Sequence, residues 1–385
     1  MTNDPSALGQ NRSTTTSTRP PSRPELRLLR DAGWDDDWAR TATPENLRPG
    51  RVLRADRGAS EVVLDDGSLT VAWGPELRRA VEDDPVETPA AGDWVLVDLG
   101  DPAAGIEPTL VEVLPRRTAV VRLQTGKSSR GQVLAANADL VCVVEGLDPD
   151  PDTGRIERLL ALAWASGGTP AVVLTKADLV LDPDAMVTEV AQAAPGCPVW
   201  AVSTHDGYGL APLREALAQG RTVALLGASG VGKSTLLNAL VGEEVMRTQA
   251  LGSMNKGRHT TVTRELHLVP GGGAVLDTPG MRSVGLAGAE DLDEVFPEID
   301  ALAALCRFHD CAHVVEPGCA VLAAVEAGEL PERRLLSYRK LLRELEYQAA
   351  RVDARVAAQR AGRWKEIHRG QRERRKIEGR RGVQR

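Results

Sequence analysis

The sequence predicts a multidomain chain: an N-terminal OB-fold β-barrel, a central α/β domain built on a phosphate-binding loop, and a C-terminal α-helical zinc-binding module. Three observations carry this. Residues 48–123 hold short Val- and Leu-rich runs broken by turn signals such as "DDG" and "AGD". From 117 to 286 apolar runs alternate with helix-like connectors. Between 306 and 319 lie three of the five cysteines, with histidines among them. A length of 385 residues accommodates such an arrangement of two or three domains.

The chain opens with "MTNDPSALGQNRSTTTSTRPPSRPE", rich in Ser, Thr and Pro and lacking the apolar core of an export signal. Residues 1–44 therefore read as a disordered leader, and the expected compartment is the cytoplasm. No apolar run is long enough to span a bilayer, so no membrane partner is expected. Across 48–123 the runs "GRVLRAD", "SEVVLDDGSLTVAWG", "AGDWVLVDL" and "TLVEVLPRRTAVVRL" suggest about five strands, which suits an OB-fold domain at 45–116, with an SH3-like barrel as the other arrangement.

The domain at 117–286 contains "DLVCVVEGL", "TPAVVLTK", "CPVWAVS" and "RTVALLGAS". These are nearly continuous apolar runs, as in strands covered by helices on both faces. "RELHLVP" and "GAVLDTPG" add two strands, while "GRIERLLALAWASG" and "GKSTLLNALVG" supply helices. The stretch "GASGVGKST" comprises Gly227, Ala228, Ser229, Gly230, Val231, Gly232, Lys233, Ser234 and Thr235. It follows an apolar strand and opens a helix, the setting in which backbone N–H groups and the helix dipole hold phosphates. Lys233 then reaches the β- and γ-phosphates, and Ser234 ligates Mg²⁺. A second Gly-Lys-Ser, in "TGKSS" at 125–129, lacks this setting: Val121 stands where the first glycine belongs, and no apolar strand leads directly into it.

"DTPG" closes the last strand, so Asp277 can hold Mg²⁺ through water and the Gly280 N–H can face the γ-phosphate. Thr260 and Thr261 in "GRHTTV" are candidates for a second hydroxyl ligand. The base is read from "TKAD": Thr175, Lys176, Ala177 and Asp178 end an apolar strand. A buried carboxylate at Asp178 would accept from both guanine N1–H and the exocyclic amine, a donor pair that adenine lacks. At a second strand end, Ser203 and Thr204 offer backbone N–H groups to guanine O6. Base loops precede the phosphate loop here, the order of a circularly permuted GTPase domain, which is possible where the original termini lie close together.

In the module at 287–350, Cys306, Cys311, His313 and Cys319 form C-x4-C-x-H-x5-C, a closed Cys3His set for one structural Zn²⁺. His309 is the alternative imidazole. Leu335, Tyr338, Leu342 and Leu345 recur at helical spacing and read as a packed face. Residues 331–385 carry 18 Lys and Arg against 7 Asp and Glu, a local +11, while the rest of the chain sums to −18 within the overall −7. The basic tail at 351–385 suggests an anionic partner.

Together these motifs resemble the ribosome-small-subunit-dependent GTPase A family, over about residues 45–345. The resemblance is carried by "AANAD", "TKAD", "GASGVGKST", "GRHTT", "DTPG" and "DCAHVVEPGCAV", in that order. It implies a GTP-to-GDP hydrolase stimulated by the 30S ribosomal subunit during its late maturation, with 16S rRNA contacts and a monomeric state. It also implies departures: Thr175 stands where many members have Asn, and Met281 stands where Ras-like enzymes have a water-orienting Gln. His259 is the candidate for that orienting role, by resemblance and because imidazole suits it. Two other readings compete. One is a nucleotide-regulated RNA-binding module with negligible turnover; the other is an ATP-dependent enzyme using the same loop.

Overall fold

The computed structural model describes residues 27–40, 44, 46–123, 131–242, 264–278 and 292–352. Two short helices, α1 (Arg27–Asp31) and α2 (Asp36–Arg40), occupy part of the expected leader. Trp34 and Trp38 are buried against Trp94 of the barrel, with ring centroids 4.8 and 6.0 Å away. Each such pair adds about 0.5–1.5 kcal/mol beyond the area it buries. The disordered assignment of 1–44 therefore does not hold for 27–40, where apolar packing outweighs a polar composition.

The barrel comprises β1 (Arg48–Asp56), β2 (Ala59–Leu64), β3 (Gly67–Trp73), α3 (Pro75–Asp83), β4 (Trp94–Asp98) and β5 (Thr109–Val113). β1, β2 and β3 form an antiparallel meander, and β3 meets β5 in parallel. β5 pairs β4, which returns to β1 and closes the barrel. The helix between β3 and β4 and the parallel β3–β5 contact distinguish an OB-fold from an SH3-like barrel. Its centre is filled by Val52, Val62, Val71, Val95, Val97 and Leu110.

β6 (Ala119–Leu123) and β7 (Gly131–Ala136) form a separate hairpin. The run "TAVVRL" is thus no barrel strand, and a strand does lead toward the "TGKSS" decoy, which itself lies outside the described residues. The α/β domain follows as β8 (Leu140–Gly146), α4 (Thr153–Ala165), β9 (Thr169–Thr175), α5 (Pro183–Ala191), β10 (Val199–Ala201) and α6 (Ala211–Ala218). It continues through β11 (Thr222–Leu226), α7 (Lys233–Val241), β12 (Glu265–Leu268) and β13 (Ala274–Asp277). The strand order is β10-β9-β8-β11-β13-β12, parallel except for β12. Because β12 also pairs with β1 of the barrel, the two sheets run together as one of 11 strands. Arg51, 1% exposed, cements this junction by donating to Thr222 Oγ1 at 2.8 Å, Asn137 O at 3.2 Å and Gly92 O at 3.3 Å.

Four helices complete the described chain: α8 (Leu292–Val295), α9 (Pro297–Ala303), α10 (Ala320–Glu326) and α11 (Glu332–Val352). Leu335, Leu341 and Leu345 of α11 are buried in the largest core, with Tyr338 and Leu342 packed beside them. Fully buried Glu157 of α4 accepts from Arg334 at 2.8 Å and from Arg333 at 3.1 Å. A buried carboxylate held this way fixes where the C-terminal helices sit, since losing either partner would strand a charge. No helix among the described residues is long and apolar enough to cross a membrane.

Candidate nucleotide site and metal centre

The phosphate loop leaves the C-terminal end of β11 at the middle of the sheet, between β8 and β13. Two glycines are dictated by sterics. A Cβ at Gly227 would lie 2.4 Å from the Val144 carbonyl oxygen. Gly232 has φ +95°, and its Cβ would meet the Thr175 hydroxyl at 3.1 Å. Gly232 caps α7 without a side-chain hydrogen bond, so no capping side chain occupies the first N–H groups of the helix. Lys233, 7% exposed, donates from Nζ to the carbonyl oxygens of Gly227 at 2.9 Å and Ala228 at 2.8 Å. Burial holds its ammonium below the ordinary value, while Asp277 and Glu145 act in the opposite sense. Ser234 is half-buried, and Ser229, Gly230 and Thr235 are exposed.

Asp277 sits on β13 beside that lysine, 6% exposed, with its Oδ1 buried and without a partner. Burial pushes its carboxyl up to about 6; Lys233 opposes the shift and Glu265 adds to it. The residue after it, fully buried Thr278, donates to Leu225 O at 2.7 Å and so fixes the strand end against β11. An orphaned, buried carboxylate oxygen on the strand beside the phosphate loop is an oxygen ligand that fits a hydrated Mg²⁺, with the Lys233 ammonium close enough to act on its charge. Gly280, His259, Thr260 and Thr261 lie outside the described residues.

The loops expected to read the base follow β9 and β10, on the other side of β8. Thr175 is buried, and its hydroxyl bridges β8 and the phosphate loop, lying 3.2 Å from Glu145 O and 2.5 Å from Val231 O. Threonine in place of asparagine therefore keeps a link between base loop and phosphate loop. Lys176 takes a left-handed conformation (φ 64°) that turns the chain out of the sheet and directs its ammonium to Asp148 O at 2.5 Å. Ala177 follows, buried, with its N–H on Val202 O at 3.1 Å, which joins the two base loops. Asp178 is exposed on the resulting 3-10 turn, not buried as the sequence suggested, because that left-handed residue carries it beyond the strand end. At the second loop, the Ser203 N–H is taken up by Tyr208 O at 3.0 Å. Of the pair expected to meet guanine O6, Thr204 is the one whose N–H that turn does not use.

The candidate metal centre is built on the loop between α9 and α10. Ligand atoms of Cys306, Cys311, His313 and Cys319 all lie within 4.8 Å of one another. Regular tetrahedral bonds of about 2.3 Å to sulfur and 2.0–2.1 Å to nitrogen require S···S edges of about 3.8 Å and S···N edges of about 3.6 Å. The observed edges are 3.8 Å for Cys306–Cys319, 3.6 Å for Cys306–His313 Nδ1 and 3.4 Å for His313 Nδ1–Cys319. The set fits zinc. His309 is exposed and stands outside the cluster. Burial keeps the His313 imidazole below its ordinary value, opposed by Glu316 and assisted by Arg339, which favours the neutral form a ligand needs. Arg339 of α11 also donates to the His313 carbonyl, tying the centre to the long helix. Cys319 doubles as the N-cap of α10, accepting from Leu322 N at 3.4 Å.

A phosphate loop at the centre of the sheet, with base loops that precede it in the chain yet lie next to it in space, defines a circularly permuted P-loop GTPase. Known proteins agree. The family model described as RsgA GTPase matches residues 113–287. The chain is 52% identical over 344 residues to the small ribosomal subunit biogenesis GTPase RsgA of Streptomyces avermitilis, covering 86% of this chain and 90% of that protein. It is 46% identical to the protein of the same name from Opitutus terrae, over 91% and 99% of the two chains. The crystal structure of YjeQ from Thermotoga maritima superposes with a TM-score of 0.56 at 29% identity, over 78% and 98%. YloQ, described as a circularly permuted GTPase, gives 0.53 at 26%, over 80% and 99%. The chain belongs to the RsgA family of GTP-hydrolysing enzymes.

Proposed function

We propose that this chain binds Mg²⁺–GTP between "GASGVGKST" and "TKAD", hydrolyses it to GDP, and serves late maturation of the 30S ribosomal subunit in the cytoplasm, working as a monomer in contact with 16S rRNA. The observation that carries the reading is the Thr175 hydroxyl against Val231 O. It brings the base-reading segment, three residues before Asp178, to the loop residue two before Lys233, as one nucleotide spanning both requires. The names of the relatives support the ribosomal part.

In this reading the N–H groups of 228–235 and the Lys233 ammonium hold the phosphates, and Asp178 reads the base, with Thr204 N–H at O6. Ser234 and, through water, Asp277 would hold Mg²⁺, which when bound would supply charge neutralisation at the β- and γ-phosphates. Gly280, Thr260 and Thr261 serve as γ-phosphate sensors and His259 orients water. The OB-fold at 45–116 and the basic tail at 351–385 engage rRNA mainly through phosphates, and the zinc module at 287–350 moves with the switch that runs directly into it within 117–286. Lys233→Ala is expected to lower GTP affinity and turnover by at least about a hundredfold, because a buried charge aimed at the transferring phosphoryl group is lost. Nucleotide titration and single-turnover hydrolysis read this.

The deciding experiment is GTP turnover with purified small subunits, with large subunits and with neither. Acceleration of about tenfold or more by small subunits alone is expected, since the chain lacks a Ras-type Gln and a bound partner can complete the site. Unchanged turnover would favour a nucleotide-regulated RNA-binding module instead.

A further inference from the structure

The joined sheet carries a row of charges across the boundary between barrel and GTPase domain. Strand register places Asp277 of β13 opposite Glu265 of β12, Glu265 opposite Arg54 of β1, and Arg54 opposite Glu61 of β2. Residues directly opposite in antiparallel neighbours project from the same face with Cβ atoms about 4.5–5.5 Å apart. The side chains follow the register: the Arg54 guanidinium lies 3.5 Å from Glu265, 3.7 Å from Glu61 and 3.3 Å from Asp56. His267, on the same strand as Glu265, stands 3.9 Å from its carboxylate. Asp277 at the inner end of the row has its buried, unpartnered Oδ1. A barrel residue is thus one carboxylate away from the aspartate beside the phosphate loop.

We propose that Glu265 and Arg54 are positioning residues for the Mg²⁺ site at Asp277, the barrel arginine setting how much of the Glu265 charge the ion feels. This rests on the reading of Asp277 as the carboxylate of a Mg²⁺–nucleotide site. Two carboxylates on adjacent strands repel each other, and a divalent cation entering beside one is attracted by both. The Arg54 guanidinium cancels part of that attraction from the far side of Glu265. The two residues therefore act with opposite sign on metal affinity, although both belong to the same ladder. Neither needs to touch the nucleotide. The β1–β12 pairing is what gives the barrel this electrostatic access.

The test uses the full chain loaded with GDP. The Mg²⁺ concentration that half-maximally slows GDP dissociation is measured, with Mn²⁺ binding by electron paramagnetic resonance as a second readout. Glu265→Gln, which keeps shape and hydrogen-bonding capacity, is expected to raise the Mg²⁺ midpoint on the order of tenfold, and Arg54→Gln to lower it by about threefold. Arg54→Lys should restore the wild-type midpoint, and the double variant should follow Glu265→Gln. If both single variants shift the midpoint in the same direction, the ladder is only sheet packing and the proposal fails. It also fails if neither moves while the wild-type chain keeps its Mg²⁺ dependence. GDP release indifferent to Mg²⁺ in the wild-type chain would instead overturn the reading of Asp277, and the proposal with it.

Discussion

Asp178→Asn is expected to weaken GDP binding by about a thousandfold while leaving ADP binding unchanged. The carboxylate offers two acceptors to the two donors on the guanine edge, whereas asparagine presents an N–H₂ to one of them, so a matched pair becomes a donor facing a donor. The fold should not register the change. Asp178 is exposed, and its turn is held by backbone bonds, Ala177 N to Val202 O and Leu179 N to Lys176 O at 3.0 Å. An unchanged thermal midpoint should therefore accompany the lost affinity. Chemistry supplies a rescue: xanthine carries a carbonyl where guanine carries the exocyclic amine, so the asparagine amide can donate to it. The variant should bind XDP better than GDP. Competition binding of GDP, ADP and XDP measures all three, and unaltered GDP affinity, or wild-type ADP binding equal to GDP, would sink the guanine assignment.

The strand end at "TKAD" was legible because its signal is local: a buried apolar run gives way to a short polar segment, and β9 does end at Thr175. The phosphate loop and the Cys3His spacing are local in the same way. What escaped depends on contacts between distant residues. β12 and β1 are more than two hundred residues apart in sequence, so nothing in "RELHLVP" foretells that Glu265 faces Arg54. The hairpin strand β7, "GQVLAA", has too few β-branched or aromatic residues to signal a strand and is defined by its partner. In the leader, two tryptophans, Trp34 between the short helices and Trp38 on α2, were a signal of apolar packing, but Ser, Thr and Pro in the preceding residues obscured it. The exposure of Asp178 and the engagement of the Ser203 N–H are backbone details set by a left-handed Lys176 and a turn closed by Tyr208. Composition does not encode them.

Cys319→Ser should have an effect as large, on structure instead of nucleotide. Ser can still accept from Leu322 N, so the N-cap of α10 survives and the substitution isolates the metal ligand. Losing one of four ligands should drop zinc content from one per chain toward none, and structural zinc contributes on the order of 10 kcal/mol to the folding of small loop-rich segments. The loop from Cys306 to Cys319 has little apolar core of its own, and Phe308, Val314 and Val315 on it are exposed. It should become sensitive to protease. GDP binding should survive, because α11 stays clamped to α4 by buried Glu157 with Arg333 and Arg334, and by Arg158 with Glu344 at 2.7 Å. Chelation of the wild-type chain should reproduce the variant, and Cys197→Ser, remote from the cluster, should keep its zinc. Metal analysis and limited proteolysis read both. A wild-type chain that holds no zinc, with a loop equally resistant in the variant, would reduce the three cysteines to packing. A variant that lost GDP binding together with zinc would mean that the metal centre, not the Glu157 clamp, holds the C-terminal helices in place against the GTPase domain.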